Sequence, residues 1–191
     1  MPVRVVIAED EAIVRMDLKE ILEEEGYEVV AETGRGDDAV ALVHQHSPDL
    51  AILDIRMPGL DGLAAARQIT SEHRAAVLIL TAYSQRSLSD EARDAGALAY
   101  LVKPFQKSQL VPAIQVALGR YQEMQALREE VQGLEEQLET RRAVDRAKGV
   151  LMDRYSMKEH DAFNFIQKTA MHRREKMKAI AEQVVAGEIV P

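Results

Sequence analysis

Three carboxylates stand directly behind short apolar runs: Glu9 and Asp10 after Val3–Ala8, and Asp54 at the end of Asp49-Leu-Ala-Ile-Leu-Asp54. An acid that closes such a run, with the turn-forming Ile55-Arg-Met-Pro-Gly59 behind it, belongs at the carboxyl end of a buried strand. Brought to one rim, three like charges repel. The arrangement is tolerable when a hard divalent cation is shared among them or one carboxylate is chemically modified. Thr81 and Lys103 close two more runs in the same way. A hydroxyl and a point cation beside Asp54 would complete a cage for a phosphoryl group.

Groups so placed need a sheet to hold them in register. Apolar runs recur at Val3–Ala8, Glu28–Glu32, Leu50–Asp54, Val77–Thr81 and Ala99–Val102, separated by amphipathic stretches. Ile13, Met16, Leu18, Ile21 and Leu22 mark the first stretch, and Ala39, Val40 and Val43 the second. Five βα repeats with strands buried on both faces predict an α/β fold, a doubly wound parallel sheet with helices on each side. Sites in such sheets lie at the carboxyl ends of the strands, where every acid named above falls.

Beyond Lys107 the chain reads as one long helix. Met124, Leu127, Val131, Leu134 and Leu138 are spaced 3, 4, 3, 4, a short coiled-coil seam that Gly133 weakens. The seam either pairs with another chain or packs on its own tail. Residues 141–191 predict a small domain of three helices, about Arg142–Arg154, Ser156–Met171 and Arg174–Ala186. Ser156 and Glu159 fit a capping box, and Gly187 a helix-ending C′ residue. Val150, Leu151, Phe163, Ile166, Met177, Ile180, Ala181 and Val184 are the expected core. The division is thus 1–120, a linker 121–140, and 141–191.

At 191 residues and 47% apolar composition the chain can bury a core. No apolar run approaches the roughly 20 residues of a membrane helix, and Met1-Pro-Val-Arg passes into a strand pattern instead of a signal peptide. No membrane association is expected, and the expected location is the cytoplasm. The absence of cysteine excludes disulfides and thiolate chemistry. Net charge is −8 but uneven: residues 1–120 hold 12 Lys and Arg against 19 Asp and Glu, whereas residues 141–191 hold 11 against 7. An acidic body with a basic tail suits a cation at one end and an anionic partner at the other.

With Glu9-Asp10 after the first strand, Asp54 after the third, Thr81-Ala82 after the fourth, and Tyr100 with Lys103-Pro104 at the fifth, residues 1–120 resemble the receiver domain of two-component response regulators. The resemblance implies a flavodoxin-like fold and a sensor histidine kinase as phosphodonor to Asp54. It implies Mg2+ held by Asp10, Asp54 and the carbonyl of Arg56, with Glu9 reaching the ion directly or through water. Thr81 and Lys103 would meet the phosphoryl oxygens, and Tyr100 would be a switch aromatic that turns inward. It also implies a cis Lys103–Pro104 bond that aims the ammonium at the site. The only enzymatic activity expected is Mg-dependent self-phosphorylation and dephosphorylation of the receiver.

The segment Arg142-Ala-Val-Asp-Arg-Ala-Lys-Gly-Val-Leu-Met-Asp-Arg154, followed by Ala162-Phe163 and Ala181, resembles an ANTAR domain, the RNA-binding module of transcription antiterminators. Thr169-Ala-Met-His-Arg-Arg-Glu-Lys176 departs from the pattern. Arg141, Arg142, Arg146, Lys148, Arg173, Arg174, Lys176 and Lys178 would form a basic face, and Gly149 would permit close backbone approach beside Lys148. Phe163 and Phe165 read as core residues rather than base-stacking platforms, and His172 receives no role. The leading expectation is phosphorylation-controlled binding of hairpin loops in nascent RNA, with antitermination as the result and with a homodimer through the seam or release of the tail as the switch. The alternative is a regulator whose helical tail engages a partner protein.

Overall fold

Strand order and register decide where the polar groups meet. The computed structural model describes residues 2–82 and 86–191. Strands β1 (Arg4–Ala8), β2 (Glu28–Thr33), β3 (Leu50–Asp54), β4 (Ala76–Thr81) and β5 (Ala99–Val102) form one parallel sheet in the order β2-β1-β3-β4-β5. Helices α1 (Ala12–Glu24), α2 (Gly36–His46), α3 (Gly62–Ser71) and α4 (Arg86–Asp94) connect them. Then come α5 (Lys107–Tyr155), α6 (Glu159–Arg173) and α7 (Met177–Ala186). The doubly wound α/β sheet is as the sequence predicts.

Alternation along each strand sends successive side chains to opposite faces. Val5, Ile7, Ile52, Leu78 and Leu80 pack with Leu18 and Leu22 of α1 and with Leu110, Ile114 and Ala117 of α5. Val6, Ala8, Leu53, Val77 and Ile79 pack with Ala39 and Val43 of α2, Ala65 and Ile69 of α3, and Ala92 of α4. Burial on both faces holds for β1, β3 and β4, while the edge strands β2 and β5 are half-buried because the helices cover the centre of the sheet more fully than its margins. The apolar face of α1 is also narrower than predicted. Leu18 and Leu22, one turn apart, enter the core, whereas Ile13 and Met16 are 77% and 71% exposed.

The chain divides into two compact units, residues 1–125 and 126–191. The core of the second is built from residues four apart: Ala143, Ala147 and Leu151 on α5, and Ala162, Ile166 and Ala170 on α6, closed by Ile180, Ala181 and Val184 of α7. The first of the three predicted short helices is the end of α5. Ser156 is not an N-cap. Its φ of 53° makes it the left-handed residue that terminates α5, whereas an N-cap requires extended backbone. Lys158 caps α6 without a side-chain bond, so the Ser156–Glu159 capping box does not form. Arg174, φ 56°, likewise ends α6, and Gly187, φ 81°, ends α7 as expected. Phe163 is 39% exposed and lies outside the core, which Phe165 joins instead.

Two glycines hold the loop behind Asp54 against the sheet. The Gly62 amide donates to the Ile55 carbonyl (2.9 Å) and that of Gly36 to the Pro58 carbonyl (3.2 Å). A Cβ on Gly62 would collide with the Asp54 carbonyl oxygen, and one on Gly36 with that of Leu60. Around Gly149 on α5, by contrast, the space is open. Gly62→Ala is therefore expected to destabilise the protein by about 2 kcal/mol or more. Gly149→Ala should stabilise it by about 0.5–1 kcal/mol through helix propensity. Urea unfolding of the two variants measures both signs.

Candidate functional site

Register places the acids side by side. Ala8 pairs with Leu53 and Asp54 with Leu80, so Glu9 and Asp54 emerge together where β1 and β3 end. Ligand oxygens of Glu9, Asp10 and Asp54 all lie within 4.8 Å of one another. Asp10 is exposed, Asp54 is 5% exposed, and Glu9 is fully buried. Glu9 is thus no solvated strand-end acid. Its Oε1 accepts from the Glu11 amide at 3.2 Å, and its Oε2 lies 2.6 Å from the Lys103 ammonium.

Lys103 reaches the same point from β5. Thr81 pairs with Val102, and the Lys103 amide donates to the Thr81 carbonyl at 2.7 Å, which fixes the start of the side chain at the rim. Its Nζ lies 3.1 Å from Asp54 Oδ1. The Lys103–Pro104 bond is cis, as expected. Thr81 is 3% exposed at the end of β4, and Arg56 lies two residues beyond Asp54 in the loop held by Gly62. Tyr100 is 50% exposed on β5 and faces outward.

Burial pushes the carboxyl groups of Glu9 and Asp54 above their usual range, against the pull of Lys103 on each. Burial also disfavours the charged form of Lys103, but its bonds to Glu9 and Asp54 outweigh this and raise it overall. One ammonium faces three carboxylates, so the rim stays negative. A hard donor set with surplus negative charge fits a divalent cation held by Glu9, Asp10 and Asp54.

Arg15 of α1 was not foreseen. Its Nη1 donates to the Glu9 carbonyl at 2.5 Å, holding the chain between the two acids. A single arginine in an amphipathic stretch carries no signal of this until the helix is docked.

The predicted basic face of the second unit is two faces. At 100° per residue Arg142, Arg146 and Gly149 fall on one side of α5, and Arg141 and Lys148 on another. Arg142 and Arg146 are exposed. Lys148 is 17% exposed and bound to Asp145 (2.9 Å) and to Glu159 of α6 (2.8 Å), so it links two helices. Arg173 and Arg174 are exposed at the end of α6, and Lys176 is exposed at the start of α7. The seam residues Leu127, Val131, Leu134 and Leu138 are 47–61% exposed, so the tail does not cover them.

Residues 5–115 match the response regulator receiver domain family and residues 132–185 the ANTAR domain family. The transcriptional regulatory protein PdtaR of Mycobacterium tuberculosis is 55% identical over 185 residues, spanning 97% of this chain and 90% of that protein. The receiver domain of the response regulator NarL from the same species superposes with a TM-score of 0.59 at 31% identity, over 62% of this chain and 97% of that structure. A chain of the CheX–CheY complex with BeF3 and Mg2+ from Borrelia burgdorferi aligns with a TM-score of 0.57 at 25% identity, over 60% and 87%.

A divalent cation should stabilise the protein in a pH-dependent way. Burial raises the folded-state pKa of Glu9 and Asp54 above the unfolded values. The stability they contribute is therefore present below the unfolded pKa and lost as pH rises through the folded one. A bound cation offsets that loss. Mg2+ at ten times its Kd should add about 1.4 kcal/mol near pH 8, a rise of roughly 2–4 °C per kcal/mol in melting temperature. The increment should shrink toward pH 4.5, and thermal melts at both pH values with and without Mg2+ measure it.

Proposed function

The chain belongs to the response regulators in which a receiver domain precedes an ANTAR domain, and from that we propose that phosphorylation of Asp54 controls binding of the basic helical unit to hairpin loops in RNA, with transcription antitermination as the outcome. The observation that carries the first half is Asp54 itself, a nearly buried carboxylate with an oxygen 3.1 Å from an ammonium, beside two acids suited to a cation.

A sensor histidine kinase is the donor. An Asp54 oxygen attacks the phosphorus of a phosphohistidine, the P–N bond breaks, and the histidine nitrogen keeps the electron pair. Glu9, Asp10, Asp54 and the Arg56 carbonyl would hold Mg2+, which would supply the positive charge that offsets the charge on the transferred group. Lys103, now shared between Glu9 and Asp54, turns to a phosphoryl oxygen, and the Thr81 hydroxyl donates to another. Phosphorylation brings nearly two negative charges. Tyr100, facing outward beside the groove formed with Pro112, Val116 and Arg120, turns inward as Thr81 moves. The receiver carries no catalytic function beyond its own phosphorylation and dephosphorylation.

For the output, the second unit offers exposed Arg142, Arg146, Arg173, Arg174 and Lys176 to phosphates, while specific RNA recognition favours unpaired loop bases. The uncovered seam favours a second copy of the chain as its occupant on phosphorylation. A tail that engages a partner protein remains the second reading, supported by the same exposed apolar residues. The described helices include none long and apolar enough to cross a membrane, and action in the cytoplasm accords with this.

Two measurements test the reading. Asp54→Asn should reduce labelling by a small phosphodonor with Mg2+ to background, and undiminished labelling would sink Asp54 as acceptor. The phosphorylated full-length protein should bind hairpin RNA with a log Kd that rises about 3 per log unit of salt, as roughly four phosphate contacts require. Arg142→Ala should lower that slope by about 1; absence of binding to any structured RNA favours the protein-partner reading.

A further inference from the structure

Positions two apart on a helix point about 200° away from each other, so Phe163 and Phe165 cannot share a face. Phe165 packs on the core of the second unit. Phe163 turns the other way, into a groove of about 820 Å³ on that unit. Phe163 is 39% exposed there, and pockets for small organic ligands fall in the same volume range.

The rim of the groove carries both charges. Arg141, Lys148, Lys176 and Lys178 line it with the acids Glu136 and Asp145, and Lys148 is held between Asp145 and Glu159. Lys176 and Lys178 open α7, whose first turn has no acidic residue and no side-chain cap. Lys176 has no ion pair among the described residues, and Lys178 pairs with Glu139 at 2.6 Å, with Glu182 and Glu136 also favouring its charge. That pair is exposed, and exposed pairs contribute about 0–1 kcal/mol, so a phosphate can take the place of the carboxylate at little cost.

We propose that this groove is a nucleotide subsite, in which one unpaired base of an RNA loop stacks on Phe163 and its phosphate is taken by Lys176 and Lys178, displacing Glu139. The inference rests on the RNA reading above and deepens it. Any base offers a π-face to a ring, so Phe163 selects an unpaired base over a paired one. The lysines make the ligand an anion. An acidic protein segment would satisfy the lysines but does not call for a flat ring beside them.

The test uses the full-length phosphorylated protein with two RNA probes. One is a pool of hairpins with a fixed stem and varied loop sequence, from which the tightest binder is taken. The other is the same stem closed by a non-nucleotide linker. Phe163→Ala is expected to weaken the looped hairpin about tenfold and the loopless stem less than twofold, with Phe163→Tyr restoring the looped value. Phe163 lies outside the core but is only 39% exposed, so an unchanged far-UV circular dichroism spectrum of Phe163→Ala, together with the restored binding of Phe163→Tyr, excludes misfolding. Glu139→Gln, which frees Lys178, should tighten the looped hairpin severalfold. Equal loss on both probes, or no loss with Phe163→Ala, overturns the subsite. So does Phe163-dependent binding of an acidic peptide by a protein whose hairpin binding ignores Phe163. If the unaltered protein binds no hairpin at all, the RNA reading itself falls, an outcome separate from failure of the subsite alone.

Discussion

One ammonium between two buried carboxylates organises the first unit. Glu9 and Asp54 leave adjacent parallel strands together, so their proximity is built into the register and cannot relax without breaking the sheet. Two such acids out of water would not both ionise unaided. Lys103, at 2.6 Å and 3.1 Å, opposes part of that penalty on each acid, and is itself fixed by the bond from its amide to the Thr81 carbonyl. The pairing is incomplete: three acids against Lys103 and the Arg15 guanidinium leave the rim negative, hence receptive to a metal ion. The glycines at 36 and 62 serve the same end by letting the loop after Asp54 lie flat on backbone that any Cβ would strike.

In the proposed phosphorylation of Asp54, the same economy of charge would carry the change outward. Lys103 has a limited set of donors, and a stronger anion at Asp54 draws them away from Glu9. Lys103 stands four residues before Lys107, the first residue of α5. The start of α5 packs Leu110, Ile114 and Ala117 into the core of the sheet, so any shift at Lys103 is felt at an element whose buried face has no slack. Tyr100, outward-facing on the neighbouring edge strand, has room to move because β5 is only half-buried.

The central strands were legible because burial on both faces leaves an unbroken apolar run, and an acid ending such a run is conspicuous. Glu9 was legible as present but not as buried, since depth depends on the strands either side. Apolar spacing on α1 overstated its buried face, as Ile13 and Met16 obey the helical period yet project past the sheet. Ser156 and Glu159 match a capping box in spacing, but the same serine can end the preceding helix, and sequence has no way to rank these backbone states. Phe163 and Phe165 both read as core residues, and only the docking of α6 separates them, with Phe165 on the core and Phe163 outside it. Ion pairs such as Lys148 with Glu159 join separate helices and leave no trace in local spacing.

Those ion pairs change what the basic tail means. A segment with an excess of four positive charges does not present them all, because Lys148 is drawn inward by Asp145 and Glu159 and Lys178 is paired at the surface with Glu139. The exposed arginines on α5 and at the end of α6 supply attraction that any polyanion would feel, with a steep dependence on salt and little on sequence. Discrimination has to come from a feature with shape. Within the second unit the groove at Phe163 has one, where Lys148 and Lys178 are paired with carboxylates and Lys176 has no ion pair among the described residues. Affinity and selectivity thus reside on different faces of the same three helices: the outward arginines determine how readily RNA is met, and the groove determines which RNA stays.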